Sequence, residues 1–200
     1  MTLVVHAFDV ETSGPRIGKH SLMSVGAACV EISPRGHITV LDRFFVTVRW
    51  PEGLVYDDNT REFWRQNSQA FLINTSDSKP VKEAAQELYQ HIYDVQRKAA
   101  LRKARYVLLT DNAYFDVPWI DWFLCEHTEH GQPLRHNYFT GWLGPPNVID
   151  LSERIQTLRE VNMAPNMRNF YSQTPHDHTP LNDAMRLAER YAFFRQALQL

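Results

Sequence analysis

Leu3–Phe8 is a short run of apolar and β-branched character that leads straight into two carboxylates, Asp9 and Glu11. Apolar on both faces, it predicts a central strand covered on both sides. Side chains two apart in a strand share a face, so Asp9 and Glu11 project together where the strand ends at Thr12-Ser13-Gly14. A covered strand of this kind calls for helices on both faces of a sheet.

The rest of the chain fits that demand. Ser21–Ile32 and His37–Val48 read as strands joined by the turn Ser33-Pro34-Arg35-Gly36, giving three antiparallel strands at the start. Asp58–Arg65 predicts a short helix. Pro80–Arg97 predicts a longer one, with Val81, Ala84, Ala85, Leu88, Ile92 and Val95 at helical spacing. Tyr106–Leu109 and Val148–Ile149 are brief strands. Phe115–Glu126 is a helix that ends near Gly131, and Ser152–Glu160 is another. Pro180–Leu198 is the last, with Thr179 as N-cap and Pro180 in the first helical position. The order predicts an α/β fold, a mixed sheet flanked by helices. Residues 162–178 form a long connection with little periodicity, the kind that often carries function.

A chain of 200 residues suits one domain, 1–200. Its net charge of −2 gives no global basic field, which argues against a non-specific nucleic-acid binder. An enzyme whose bound cations supply positive charge locally needs no such field. Cys29 and Cys125 are too few for a disulfide framework and read as buried reduced thiols. With no evident signal peptide and no apolar run near ~20 residues, the expectation is a cytoplasmic protein with no membrane partner.

Chemistry concentrates in three places: Phe8–Gly14 (FDVETSG), Asp111–Asp116 (DNAYFD) and His178–Asp183 (HTPLND). Asp9, Glu11, Asp116 and Asp183 brought together would raise one another's pKa and repel. Hard cations such as Mg²⁺ or Mn²⁺ relieve that. Each cluster has a plainer reading: a solvated strand end for Asp9 and Glu11, a dipole-favoured helix start for Asp116, a surface imidazole for His178. Asp121 rivals Asp116 but lies deeper in its helix, as a surface or polar-network residue. Asp111 or Asn112 is expected to cap that helix. His176 and His178 form an H-x-H that could hold zinc, although no Cys is near and structural zinc wants four N or S ligands. The backbone N–H groups of Thr12 and Ser13 are candidates to meet a terminal sugar. Phe8, Trp64 and Phe115 are candidates for base stacking, with core packing the plainer reading for Phe8 and Phe115. Arg65 and Arg168 are candidates for phosphate contact. The basic run from Arg97 to Arg105 reads as helix-end cations in solvent.

Taken in order, the clusters resemble the DEDDh branch of the DnaQ-like, RNase H-like 3′→5′ exonucleases. FDVETSG resembles the first exonuclease motif, D-x-E-T-x-G. N-A-Y-F-D at 112–116 resembles the second, and H-x4-D at 178–183 the third. The segment TREFWRQNS, 60–68, resembles the phage exonuclease A and bacterial exoribonuclease sub-branch. Asp111 and Pro180 depart from the pattern, and Pro180 bears on how His178 is placed.

The resemblance implies an RNase H-like mixed five-stranded sheet, three antiparallel strands then two parallel. It implies two Mg²⁺ or Mn²⁺ ions on Asp9, Glu11, Asp116 and Asp183, with Asp9 shared, and His178 as general base. It implies substrate contacts from Thr12, Ser13, Asn112, Phe115 and Trp64. The substrate is a nucleic acid with a free 3′ end, single-stranded by expectation, and the product a nucleoside 5′-monophosphate. A homodimer is compatible with it, as is a proofreading-type or non-catalytic subunit of a larger assembly.

Overall fold

The structure is a computed structural model and describes residues 3–129, 136–137, 141–142, 147–167 and 170–199. At its centre is β1, Leu3–Thr12, longer than the apolar run because the two acids and Thr12 belong to the strand. It pairs antiparallel with β2, Leu22–Ile32, which pairs antiparallel with β3, Ile38–Arg49. On its other side β1 runs parallel to β5, Arg105–Thr110, and β5 runs parallel to β8, Val148–Asp150.

Those are the five expected strands. The sheet has a sixth at its edge, since Lys79–Pro80 (β4) pairs parallel with the end of β3, giving the order β4-β3-β2-β1-β5-β8. An edge tolerates proline, which cannot donate to a ladder, and two residues leave no alternation to read. A separate ribbon pairs His136–Asn137 (β6) with Gly141–Trp142 (β7).

The helices are α1 (Asp58–Gln66), α2 (Ser68–Thr75), α3 (Val81–Leu101), α4 (Ala113–His127), α5 (Leu151–Glu160) and α6 (Pro180–Ala197). The sequence reading lacks α2, which buries Ala70 and Asn74 and offers no apolar stripe. Helix α4 ends at His127, and Gly131 lies outside the described residues.

Alternation along β1 sorts the core. Leu3, Val5 and Ala7 pack on one face with Ala184, Leu187, Ala188 and Tyr191 of α6. Phe8 and Val10 pack on the other with Leu88 and Ile92 of α3 and Trp119 and Phe123 of α4. Asp9 and Glu11 continue the first parity, so they emerge on the α6 side. Burying these chains removes apolar area from water at a gain on the order of 25 cal/mol per Å². Much of that cohesion therefore runs through the strand that presents the acids.

The basic run past Arg97 is exposed, as expected, and two of its cations also pair with acids of the sheet. Lys98 pairs with Asp42 of β3 at 2.8 Å, and Arg102 with Glu31 of β2 at 3.3 Å. Cys29 is buried as expected, but Cys125 is exposed; neither forms a disulfide. Among the described residues no helix is long and apolar enough to cross a membrane.

Candidate active site

Asp9 and Glu11 sit near the C-terminal end of β1, beside the C-terminal end of β5. In a sheet of this kind, ligands gather beyond the carboxyl ends of parallel strands. Asp116 comes from the first turn of α4 and Asp183 from the first turn of α6. They meet because α6 begins almost on top of β2. Gly26, the register partner of Asp9, has no side chain, and a Cβ there would lie 2.1 Å from Leu181 N and from the Pro180 carbonyl carbon. The glycine lets the helix start touch the sheet, and Asp183 then hangs over Asp9 and Glu11.

These residues line one cavity of 410 Å³, together with Asp111, Asn112, Phe115, His176 and His178. Carboxylate oxygens of Asp9, Glu11 and Asp183 lie within 4.8 Å of one another. The crowding shows in their acidities. Burial, then Glu11, Asp116, Asp183 and Asp111, hold Asp9 well above the usual carboxylate range. Burial, then Asp183 and Asp116, push Glu11 up to about 8. Burial raises Asp116 to about 7, against hydrogen bonds from Thr110 and the Asn112 backbone. Asp116 Oδ2 is buried with no hydrogen-bond partner among the described residues. Such an atom costs free energy unless a ligand satisfies it. Clustered hard oxygens with an orphaned one among them suit Mg²⁺ or Mn²⁺.

Two imidazoles reach this cavity. His176 Nδ1 bonds Asp183 Oδ1 at 2.7 Å and lies mostly in solvent. The His178 ring stands edge-on to Phe63 at 5.0 Å and 4.8 Å from the His176 ring. Its backbone is left-handed, with φ +58°, a conformation costing a non-glycine residue roughly 1–2 kcal/mol. A buried chain holds it there: Ser24 Oγ donates to Asn74 Oδ1 at 2.8 Å, and Asn74 Nδ2 donates to the His178 carbonyl at 2.8 Å. His176, His178 and Asp183 also offer a three-ligand cluster, so the H-x-H reading gains a carboxylate.

The expected caps are placed differently. Asn112 stands at the N-cap of α4 but its side chain makes no capping bond. Asp150, at the end of β8, supplies it instead. Its Oδ2 accepts from Ala113 N at 2.9 Å, and its Oδ1 accepts from Glu153 N at 2.9 Å, so one carboxylate caps both α4 and α5. Thr179 is the N-cap of α6 by position, while its hydroxyl turns to Asp177.

A second cavity of 290 Å³ adjoins the first at Val10, Glu11 and Phe115, and is completed by Thr12, Asn59, Thr60, Phe63 and Trp64. Phe63 is partly exposed there, and nothing in the sequence singles it out for this cavity. Trp64 is buried and its indole N–H donates to the Thr12 carbonyl at 3.2 Å, so it braces the first motif. Ser13 is wholly buried: its N–H is bonded to the Ser21 carbonyl at 2.9 Å and its hydroxyl to the Val55 carbonyl. Neither group is free to meet a sugar. Phe8 is core. Arg65 is exposed, pairs with Glu62 at 3.1 Å and lies outside both cavities. Asp121 is buried, not a surface residue. Arg168 lies outside the described residues. Arg186 and Arg190 of α6 line the first cavity; in the sequence they look like ordinary helix-surface cations.

No family model matches the chain, and no curated protein matches it. Solved structures do. Pop2p of S. pombe, in an Mg²⁺- and Mn²⁺-bound form, superposes with a TM-score of 0.59 at 11% identity, over 96% of this chain and 82% of its own. E. coli exonuclease I in complex with a dA16 oligonucleotide gives 0.65 at 10% identity, over 98% of this chain and 41% of its own. The nuclease domain of 3′hExo, a DEDDh family member bound to rAMP, gives 0.50 at 14% identity, over 98% and 92%. The fold is RNase H-like. An RNase H-like sheet explains why the acids of β1 lie at its middle strand, with α4 and α6 delivering the others from either side. The chain spans less than half the length of exonuclease I.

Proposed function

We propose that this protein is a metal-dependent 3′→5′ exonuclease that releases nucleoside 5′-monophosphates from a nucleic-acid strand, within one domain. The observation that carries the reading is the convergence of Asp9, Glu11, Asp116 and Asp183 in one cavity beside His178. Structures that share its fold include a DEDDh nuclease domain, an exonuclease holding an oligonucleotide, and Pop2p in an Mg²⁺- and Mn²⁺-bound form.

Asp9, Glu11, Asp116 and Asp183 would hold two divalent cations, which supply a more acidic water and charge neutralisation at the scissile phosphate. His178 is the proton acceptor. His176 already spends Nδ1 on Asp183, whereas the His178 ring makes no hydrogen bond among the described residues. His176 then steadies Asp183. The adjoining cavity takes the terminal nucleoside, with Phe63 and Phe115 offering ring faces to the base and Asn59 and Thr60 offering polar groups to the sugar; Thr12 lines the same cavity, but its hydroxyl already donates to the Gly14 carbonyl at 3.0 Å. Stacking tolerates every base, which suits an enzyme that removes residues in succession. Asn112, which lines the first cavity, would touch the nucleic-acid backbone.

The test is one gel with 5′-labelled single-stranded DNA, single-stranded RNA and duplex, each with Mg²⁺, Mn²⁺ or EDTA. A ladder shortening from the 3′ end with either metal, and none in EDTA, is expected. Strands left intact with both metals would overturn the reading and leave a non-catalytic module.

A further inference from the structure

We infer that Arg186 and Arg190 form a phosphate-binding subsite for the part of the strand that lies 5′ of the scissile bond; the inference rests on the exonuclease reading. The two arginines occupy the cavity-facing stripe of α6 that begins with Asp183, three and seven residues further on. They are half-buried, and they are the Lys or Arg side chains that line this cavity among the described residues. Arg is seldom sequestered without a partner. Yet Arg186 makes no ion pair or hydrogen bond among the described residues, and Arg190 acts on Asp111 only through space. If their task were to neutralise the acids, ion pairs to Asp183 or Glu11 would be the way to do it. Asp183 instead bonds His176.

Position supplies the ligand. The cavity suited to a base and sugar adjoins the acidic cavity at Glu11 and Phe115. The arginines line only the acidic one, beside Asp111. A strand with its terminal nucleoside among Phe63 and Phe115 and its scissile phosphate at the carboxylates continues toward α6. Its next phosphates are diesters, each with a single negative charge that a guanidinium fork matches. The two Cα atoms are about 6 Å apart along the helix axis, so the pair can follow a strand rather than clasp a single group.

Two substrates separate the roles. The p-nitrophenyl ester of thymidine 5′-monophosphate has no phosphate beyond the scissile one, and a single-stranded oligonucleotide has many. For R186Q, R190Q and the double variant, kcat and KM are measured on both with Mn²⁺ across a salt series, after a melting curve. The oligonucleotide KM should rise about tenfold or more per arginine. The ester's kcat/KM should fall far less. The salt slope on the oligonucleotide should shrink by about 0.7 for each arginine lost. R186K and R190K, which keep the charge, should recover most of that slope. Equal losses on ester and oligonucleotide, or an unchanged oligonucleotide KM with a shifted Mn²⁺ requirement, would assign the arginines to the metal cluster and end the proposal. Wild-type protein inert on both substrates would remove the exonuclease reading itself.

Discussion

Asp116 is held where it is unwelcome. It is buried, one oxygen lacks a partner among the described residues, and its acidity is depressed until it titrates at about 7. The arrangement predicts a split outcome for Asp116→Asn, which removes the charge and keeps the size. In EDTA at pH 8 the variant should be more stable than wild type, on the order of 2 kcal/mol, while turnover falls below detection. Paired melting curves and gel assays check this, and a D116N protein that is active or destabilised would break the assignment. The two imidazoles should also part company. H178A should slow single-turnover cleavage by about 10²–10⁴ and leave Mn²⁺ affinity nearly unchanged. H176A should weaken Mn²⁺ binding more than it slows chemistry, because it releases Asp183. The reverse pattern in a Mn²⁺ titration would exchange their roles.

The start of α6 shows how little slack the site has. An alanine at Gly26 would drive its Cβ into the backbone of Pro180 and Leu181 at 2.1 Å, and backbone cannot turn aside as a side chain can. Gly26→Ala should therefore cost about 3 kcal/mol and pull Asp183 away from Asp9. Melting temperature and Mn²⁺ affinity should fall together; a stable variant with intact Mn²⁺ binding would show that the contact is dispensable. Such contacts mark the boundary of what the sequence discloses. β1, β2 and α3 were legible because they bury continuous faces, and alternation or helical spacing records that. The five residues read as the site were legible because three short motifs, in order, resemble those of a known family; each cluster alone had a plainer reading. Asp150 as a cap for α4 was not, since donor and acceptor lie 37 residues apart in sequence. Nor were Ser24 and Asn74, whose link to His178 spans 104 residues. Arg186 and Arg190 were hidden because an exposed helix face and a cleft wall carry the same spacing.

Stability against pH integrates two buried clusters with opposite signs. Burial, then the neighbouring His91, hold His6 well below its usual range, and burial holds His91 down at about 4. Their ring nitrogens are 3.0 Å apart, and His6 bonds Tyr106 at 3.0 Å. The unfolded chain takes protons below about 6.5 that this neutral pair refuses, so their contribution is present above that pH and is lost as pH falls toward 4. Glu11 and Asp116 are raised to about 8 and about 7. There the folded state keeps protons that the unfolded chain has released, so stability drains away as pH rises from about 4 to 8. Between about pH 6.5 and 8 the unfolded histidines shed their last protons, and the raised carboxylates, which hold more, dominate the slope. The metal-free protein should therefore melt at progressively lower temperature across that window. Divalent cations need ionised carboxylates, so their binding expels protons and tightens as pH rises. At a hundred times its Kd a ligand adds about 2.7 kcal/mol. Saturating Mn²⁺ should thus flatten or invert the fall, and the gap between Mn²⁺ and EDTA melting curves should widen from about pH 6.5 to 8. In E11Q the EDTA slope should lessen and the gap should narrow. A gap independent of pH would mean that the ions bind elsewhere than at these acids.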